Sequence, residues 1–418
     1  MKRSVLTYLL LPALISWFIS CNNEDNPEND DDEKVEIIDL GALEKANCYI
    51  VQSPGVYKFE ADNQINLGEG LPVPPSIDPV SADLVWQTDK GSIMSVTLET
   101  EEERPYVVFE VAEAVGNALI AVYNSKGEIE WSWHIWMPEE EVTSLMASSG
   151  YEVMNMNLGA LNNNPGEATC YGMLYQWGRK DPMPAASTLR GTTSTTGAPL
   201  FDIDGKKVAI SNSDWNSLTD NTIEYSIAHP TVCLSNNAHY PASRDWLNDG
   251  KENNSLWGNP DGGVKVGGNY VNKGKKTCYD PSPAGWRVPP ADVFLHFTTT
   301  GGYAWAYGEF NVADINGDGF TGVEDYNYGW HFMLTEETSS YFPAAARYDG
   351  SYAMLMGSMT GLWGNYWSNS PSASMNGGAL SVLAFQVKDL NGNDMVTISP
   401  SASASKADAY SIRCVRDN

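Results

Sequence analysis

Positive charge is the scarcest resource in this sequence. Twenty-five Lys and Arg residues face 53 Asp and Glu, leaving a formal charge of -28, and there are only five histidines. Such a surface repels a phosphate backbone and an anionic bilayer alike, which excludes nucleic acid and acidic lipid headgroups as partners. The six cysteines are nowhere spaced Cys-x-x-Cys, so neither a zinc ribbon nor a dithiol redox motif is present. His229, Cys233 and His239 are the nearest approach to a zinc trio, and they lack a fourth ligand. No Gly-x-Ser-x-Gly elbow anchors serine chemistry.

What is present points to an exported, folded chain. At 418 residues with 42% hydrophobic and 11% aromatic content, there is material for two or three packed domains. Lys2-Arg3, an apolar run from Val5 to Phe18 and Ile19-Ser20-Cys21 make residues 1–20 an export signal too short to span a bilayer securely. Cys21 after a small residue fits lipid attachment to the membrane, the alternative being an ordinary secretory signal. Residues 21–36 carry Glu24, Asp25, Glu28, Asp30, Asp31, Asp32 and Glu33 and read as a solvated acidic tether. This arrangement resembles the surface-export signal of Bacteroidetes lipoproteins, which implies a lipid-anchored, surface-exposed place on the cell outer membrane. Export permits disulfides among Cys48, Cys170, Cys233, Cys278 and Cys414, of which at least one must stay unpaired.

Residues 37–140 alternate in the manner of an all-β sandwich. Asn47–Val51 and Val56–Phe59 flank Ser53-Pro-Gly55, and Ala118–Tyr123 meets Glu128–Trp136 across Asn124-Ser-Lys-Gly127; both read as hairpins. Period-2 spacing places Ile129, Trp131, Trp133 and Ile135 on one face, where core packing is favoured over a sugar-stacking role for Trp131, Trp133 and Trp136. His134 falls on the opposite face and reads as a surface residue. Cys48, in an apolar strand, reads as a buried free thiol.

A composition break at Pro138-Glu-Glu-Glu141 puts a boundary before Gly150, and 148–418 is rich in Gly, Asn, Ser and aromatics. Helix signals are confined to Ala291–Phe297, opened by Pro289-Pro290, and to Ser243–Asn248. Five motifs in order are Tyr151–Ala160, Gly172–Pro182, Tyr279–Pro289, Gly364–Ser370 and Ser411–Asp417. Together they resemble the Fibrobacter succinogenes major paralogous domain. That resemblance implies a loop-rich α+β fold of the C-type-lectin-like and formylglycine-generating-enzyme-like kind, whose first and last strands pair. The paired cysteines of formylglycine-generating enzymes and the Glu-Pro-Asn or Gln-Pro-Asp triplet of calcium-dependent lectins do not occur in this segment.

Family members commonly place a cysteine where Ser282 stands here, and the thiol lies instead at Cys278; a Cys278–Cys414 disulfide is the expectation, with Cys170–Cys233 as a second pair. Trp177, Trp286 and Trp367 read as core plugs beneath long loops, and Arg179-Lys180-Asp181 as a loop-fixing network.

Asp314, Asn316, Asp318, the Phe320 carbonyl and Asp325 keep the 1-3-5-7-12 spacing of a calcium loop, with Gly319 at position 6. The loop resembles those of EF-hands and dockerins and predicts structural Ca²⁺, the alternative being a plain Asp/Asn/Gly turn. Tyr303, Trp305, Tyr307, Trp330, Trp363 and Tyr366 are candidate stacking residues, with Trp305, Trp330, Trp363 and Tyr366 foremost. The reading is of a non-catalytic surface protein that binds an extracellular glycan or a surface protein, with a filament or tip subunit as alternative.

Overall fold

The structure, a computed structural model, describes residues 36–42, 44–213, 221–235, 245–247, 254–259, 265–266, 269–270, 274–371, 379–388 and 391–417. The export signal, Cys21, almost all of the tether, His239 and both ends of the 243–248 window lie outside them. Within them the chain is mostly strand, and the only α-helix is Ile223–Ala228, whose Thr222 hydroxyl accepts the Tyr225 amide at 3.0 Å. Among the described residues no helix is long and apolar enough to cross a membrane.

The first segment builds two facing sheets. One orders Ile37–Asp39, Gly55–Glu60, Arg104–Val111 and Ile93–Glu101; the other contains Ser81–Gln87, Gly116–Tyr123, Ile129–Met137 and Cys48–Ile50. The 116–137 hairpin forms as its turn chemistry predicts, with Asn124 Oδ1 accepting the Lys126 and Glu128 amides. The hairpin expected around Ser53-Pro-Gly55 does not form. Cys48–Ile50 runs parallel to 134–136 in one sheet while Val56–Lys58 runs parallel to Ile37–Asp39 in the other. That turn is a corner between layers, and Tyr49 and Phe59 stack across it with ring centres 4.7 Å apart.

The two segments share one core. Leu200–Phe201 and Lys207–Val208, from the second, extend the sheet beyond Gln87. Phe59 and Trp133 of the first belong to the same apolar cluster as Trp177, Trp257 and Trp367 of the second. Strand 129–137 is therefore covered on both faces, which overturns the surface reading of His134: it is 1% exposed. Trp131, Trp133 and Trp136 are all fully buried.

In the second segment Val415–Arg416 sits between Trp286–Arg287 and Glu152–Met154, so the segment's first strand pairs with its last. The expected Cys278–Cys414 bridge is absent, and both are buried free thiols, as are Cys48, Cys170 and Cys233. The clasp closes by other means. Trp286 pairs with Arg416, whose guanidinium lies 4.0 Å from its ring centre. Arg287 meets Asp417 at 3.3 Å, and Cys414 donates to the Ser282 hydroxyl at 3.3 Å. Residues Ala291–Phe297 are helical as expected, but of the tighter 3₁₀ kind.

Candidate functional site

The most exposed of the candidate stacking residues, Tyr303 and Trp305, are brought out by a strand addition. Trp363–Pro371, Ala379–Lys388 and Asp394–Ser405 form a three-stranded sheet, and at its edge Ala304 exchanges two backbone hydrogen bonds with Ile398, at 2.8 and 3.0 Å. By register Gly364, Phe385, Ile398 and Ala304 make one rung, turned into the core: Phe385, Ile398 and Ala304 are each at most 2% exposed. Glycine is required at 364 because a Cβ there would collide with the Phe385 ring.

Pleating turns the neighbouring rung to the opposite face. It runs Trp363, Gln386, Thr397 and, beside Thr397, Trp305. The side chains on either side of buried Ala304 point outward together, Tyr303 at 57% exposure and Trp305 at 74%. They stand two residues apart on one edge, ~6.6 Å along the strand. Trp363 is half-buried, with its indole N–H donated to the Lys388 carbonyl at 2.7 Å and the Arg347 guanidinium 5.7 Å from its ring centre. Among the described residues the half-buried Gln386 amide makes no hydrogen bond.

Trp330 and Tyr366, grouped with Trp305 and Trp363 by sequence, are fully buried and are not contact residues. Trp330 packs against Tyr326 and Phe310; Tyr366 packs against Phe342 and donates its hydroxyl to the Pro343 carbonyl at 2.7 Å. Sequence reasoning missed Gln386, because nothing local signals that it shares a rung with Trp363; Thr397, next on that rung, is 7% exposed.

The acidic loop adjoins this edge through Tyr307, whose hydroxyl pKa is raised by burial and then by Glu324 and Asp394. Asp314 accepts the Gly317 and Gly319 amides at 2.7 and 2.8 Å, and Asn316 and Asp318 accept the Asp318 and Phe320 amides. Asp325 is 3% exposed and accepts three amides, from Ile315, Asn316 and Gly322. Burial alone would raise its pKa, but those three donors outweigh it and hold the carboxyl below its ordinary value. The loop is thus braced by its own backbone. No group of three or more His, Cys, Asp or Glu side chains converges as a metal site among the described residues. The oxygens of exposed Asp314 and Asp318 keep lone pairs beyond those the amides use.

Several buried titratable groups elsewhere are internal fixings. Arg179 donates to Gln176 and to the Ser226, His229 and Val232 carbonyls, tying the 179–181 turn to the helix and the strand after it. Lys180 pairs with Asp181 at 2.7 Å, both buried, and reaches Ser132 of the first segment. His134 Nε2 lies 2.8 Å from Asn117 Oδ1, whose amide nitrogen is committed to the Gly159 carbonyl. Its ring is therefore a donor at Nε2 and an acceptor at Nδ1, where the Tyr175 hydroxyl stands at 3.1 Å and Cys48 Sγ at 3.5 Å. Burial pushes the His134 pKa down to about 3, and the Cys170, Cys233, Cys278 and Cys414 thiols up to about 12. Trp177, Trp286 and Trp367 are buried plugs, at most 3% exposed.

A cleft of about 640 Å³ lies between two sheet edges, Lys207–Val208 on one side and Met354–Leu355 on the other. Compared with known families, with curated proteins and with solved structures, the chain matches no family model, no curated protein and no solved structure.

Proposed function

We propose that this is a non-catalytic, lipid-anchored protein of the outer cell surface that binds an extracellular glycan through the sheet edge bearing Tyr303 and Trp305. One observation carries the reading: two large rings stand out from one strand edge, held there by the Ala304–Ile398 hydrogen bonds. Exposed aromatic residues fixed by a rigid element offer a sugar ring an apolar face at little entropic cost. Cys21 and the acidic residues behind it support the anchor and the surface location.

The same reading takes the second segment as a C-type-lectin-like domain of the Fibrobacter succinogenes major paralogous kind; the pairing of 152–154 with 415–416 supports it. Structural Ca²⁺ belongs with it, held by Asp314, Asn316, Asp318 and the Phe320 carbonyl. The kept ligand spacing and the spare lone pairs support that assignment, with Asp325 bracing the loop.

Glycan-array binding by the intact protein and by a Tyr303→Ala/Trp305→Ala variant tests the proposal. Both substitutions remove exposed side chains, so the fold should persist, and binding should fall at least about tenfold. Undiminished binding by the variant, or no glycan bound at all, overturns it.

A second reading, a subunit of a surface filament, rests on the cleft at 207–208 and 354–355. Two open sheet edges lining one groove suit an added strand from a neighbouring chain. Polymer co-purifying with the protein from cells, and lost on proline substitution at Val208, would favour it over the solitary binder.

A further inference from the structure

Resting on the glycan reading, we infer that the Trp305–Trp363 face takes an uncharged glycan of several units, and that it discriminates against both single sugars and uronic-acid polymers.

Length follows from the register. Trp305 and Trp363 occupy the two ends of one rung with Thr397 and Gln386 between them, three strand spacings apart, or about 14 Å. A single sugar ring reaches one end or the other. Only a chain of several units contacts both aromatics, and in doing so it crosses the half-buried Gln386 side-chain amide, Thr397 being only 7% exposed. That amide is a neutral donor and acceptor suited to sugar hydroxyls.

Charge follows from what surrounds the rung. Glu309 follows Trp305 on the same loop, and Glu324 and Asp394 act on the neighbouring Tyr307 hydroxyl. Among the described residues, two cations near this end already face carboxylates. Lys388 pairs with Asp394 at 2.5 Å, and Arg347 with Asp349 and Asp408 at 3.3 and 3.5 Å. A carboxylated or sulfated chain laid along the rung meets these acids, while Lys388 and Arg347 already have carboxylate partners, within a molecule of formal charge -28.

Isothermal titration of the intact protein with neutral gluco-, manno-, xylo- and galacto-hexasaccharides, their monosaccharides, and galacturonate and glucuronate hexamers tests this. At least one neutral hexamer should bind, its monosaccharide about tenfold or more weakly, and the uronate hexamers more weakly still. Trp305→Ala and Gln386→Ala should each weaken the hexamer. A uronate hexamer binding best, or a monosaccharide binding as well as its hexamer, overturns the inference while Trp305-dependence keeps the glycan reading. Binding that ignores Trp305→Ala, or none to any neutral or acidic sugar, removes both.

Discussion

The Arg413 guanidinium lies 4.3 Å from the centre of the Phe342 ring, wholly buried, and it donates to Asn157 Oδ1 at 3.0 Å and to the Asn155 and Tyr341 carbonyls at 2.6 Å each. One side chain thereby joins the segment leading into the last strand, the 151–160 motif and strand Ser339–Pro343.

Replacing Arg413 with Ala would leave several buried carbonyls without donors, each costing ~1–3 kcal/mol. The urea midpoint should fall by an amount equal to ~3 kcal/mol or more. Arg413→Lys should recover only a minor part, since an ammonium lacks the planar fork that reaches three partners at once. A surface-like loss below ~0.5 kcal/mol would show that the hub is not structural.

Stability should decline on mild acidification because of His134. Its folded-state pKa is pushed to about 3 by burial, and that of His296 to about 4, against ordinary values near 6.5. The unfolded chain takes up these protons as pH falls through about 6.5 while the folded chain does not, so stability drops from there down toward the folded values. In urea titrations His134→Gln should flatten that slope; an unchanged slope would refute a neutral buried imidazole.

Reductant should leave the melting temperature where it is. A disulfide closing the loop from Cys278 to Cys414 would contribute about 4–5 kcal/mol, which reduction would remove. In a Cys21→Ser chain the five remaining cysteines, all buried thiols, should be unreactive when folded and should all titrate with a thiol reagent after unfolding. Fewer than five would expose a bridge.

Calorimetry with Ca²⁺ alone decides the acidic loop. One site is expected, abolished by Asp314→Ala, whose carboxylate also holds the Gly317 and Gly319 amides. No heat on titration, with the loop intact by circular dichroism, would leave it a backbone-braced turn.

Local features were legible in the sequence and partners were not. The 116–137 hairpin and the 291–297 helix follow from Asn124, Gly127 and Pro290, whose preferences act within a few residues. Ser53-Pro-Gly55 announces a reversal, yet nothing in it says whether the flanking strands pair with each other or with two different sheets. His134 was misplaced because alternation assumes that one face meets water, whereas the second segment covers it. Trp305 and Trp330 are the same residue type in the same aromatic stretch. Trp305 is turned out by the Ala304–Ile398 pairing, across a sequence distance that no periodicity spans, whereas Trp330 is buried on a strand paired with 339–343.

The position of Val415–Arg416 between two earlier strands has a consequence for biogenesis. A chain made from its N-terminus cannot complete this sheet until residues 415–416 are available. The first segment meanwhile waits for strand 200–201 and for Asp280, whose carbonyl takes the Asn47 amide at 2.9 Å. Such long sequence separations slow folding. Synthesis and final closure are thereby kept apart in time, and this sheet locks only once Val415–Arg416 is in place.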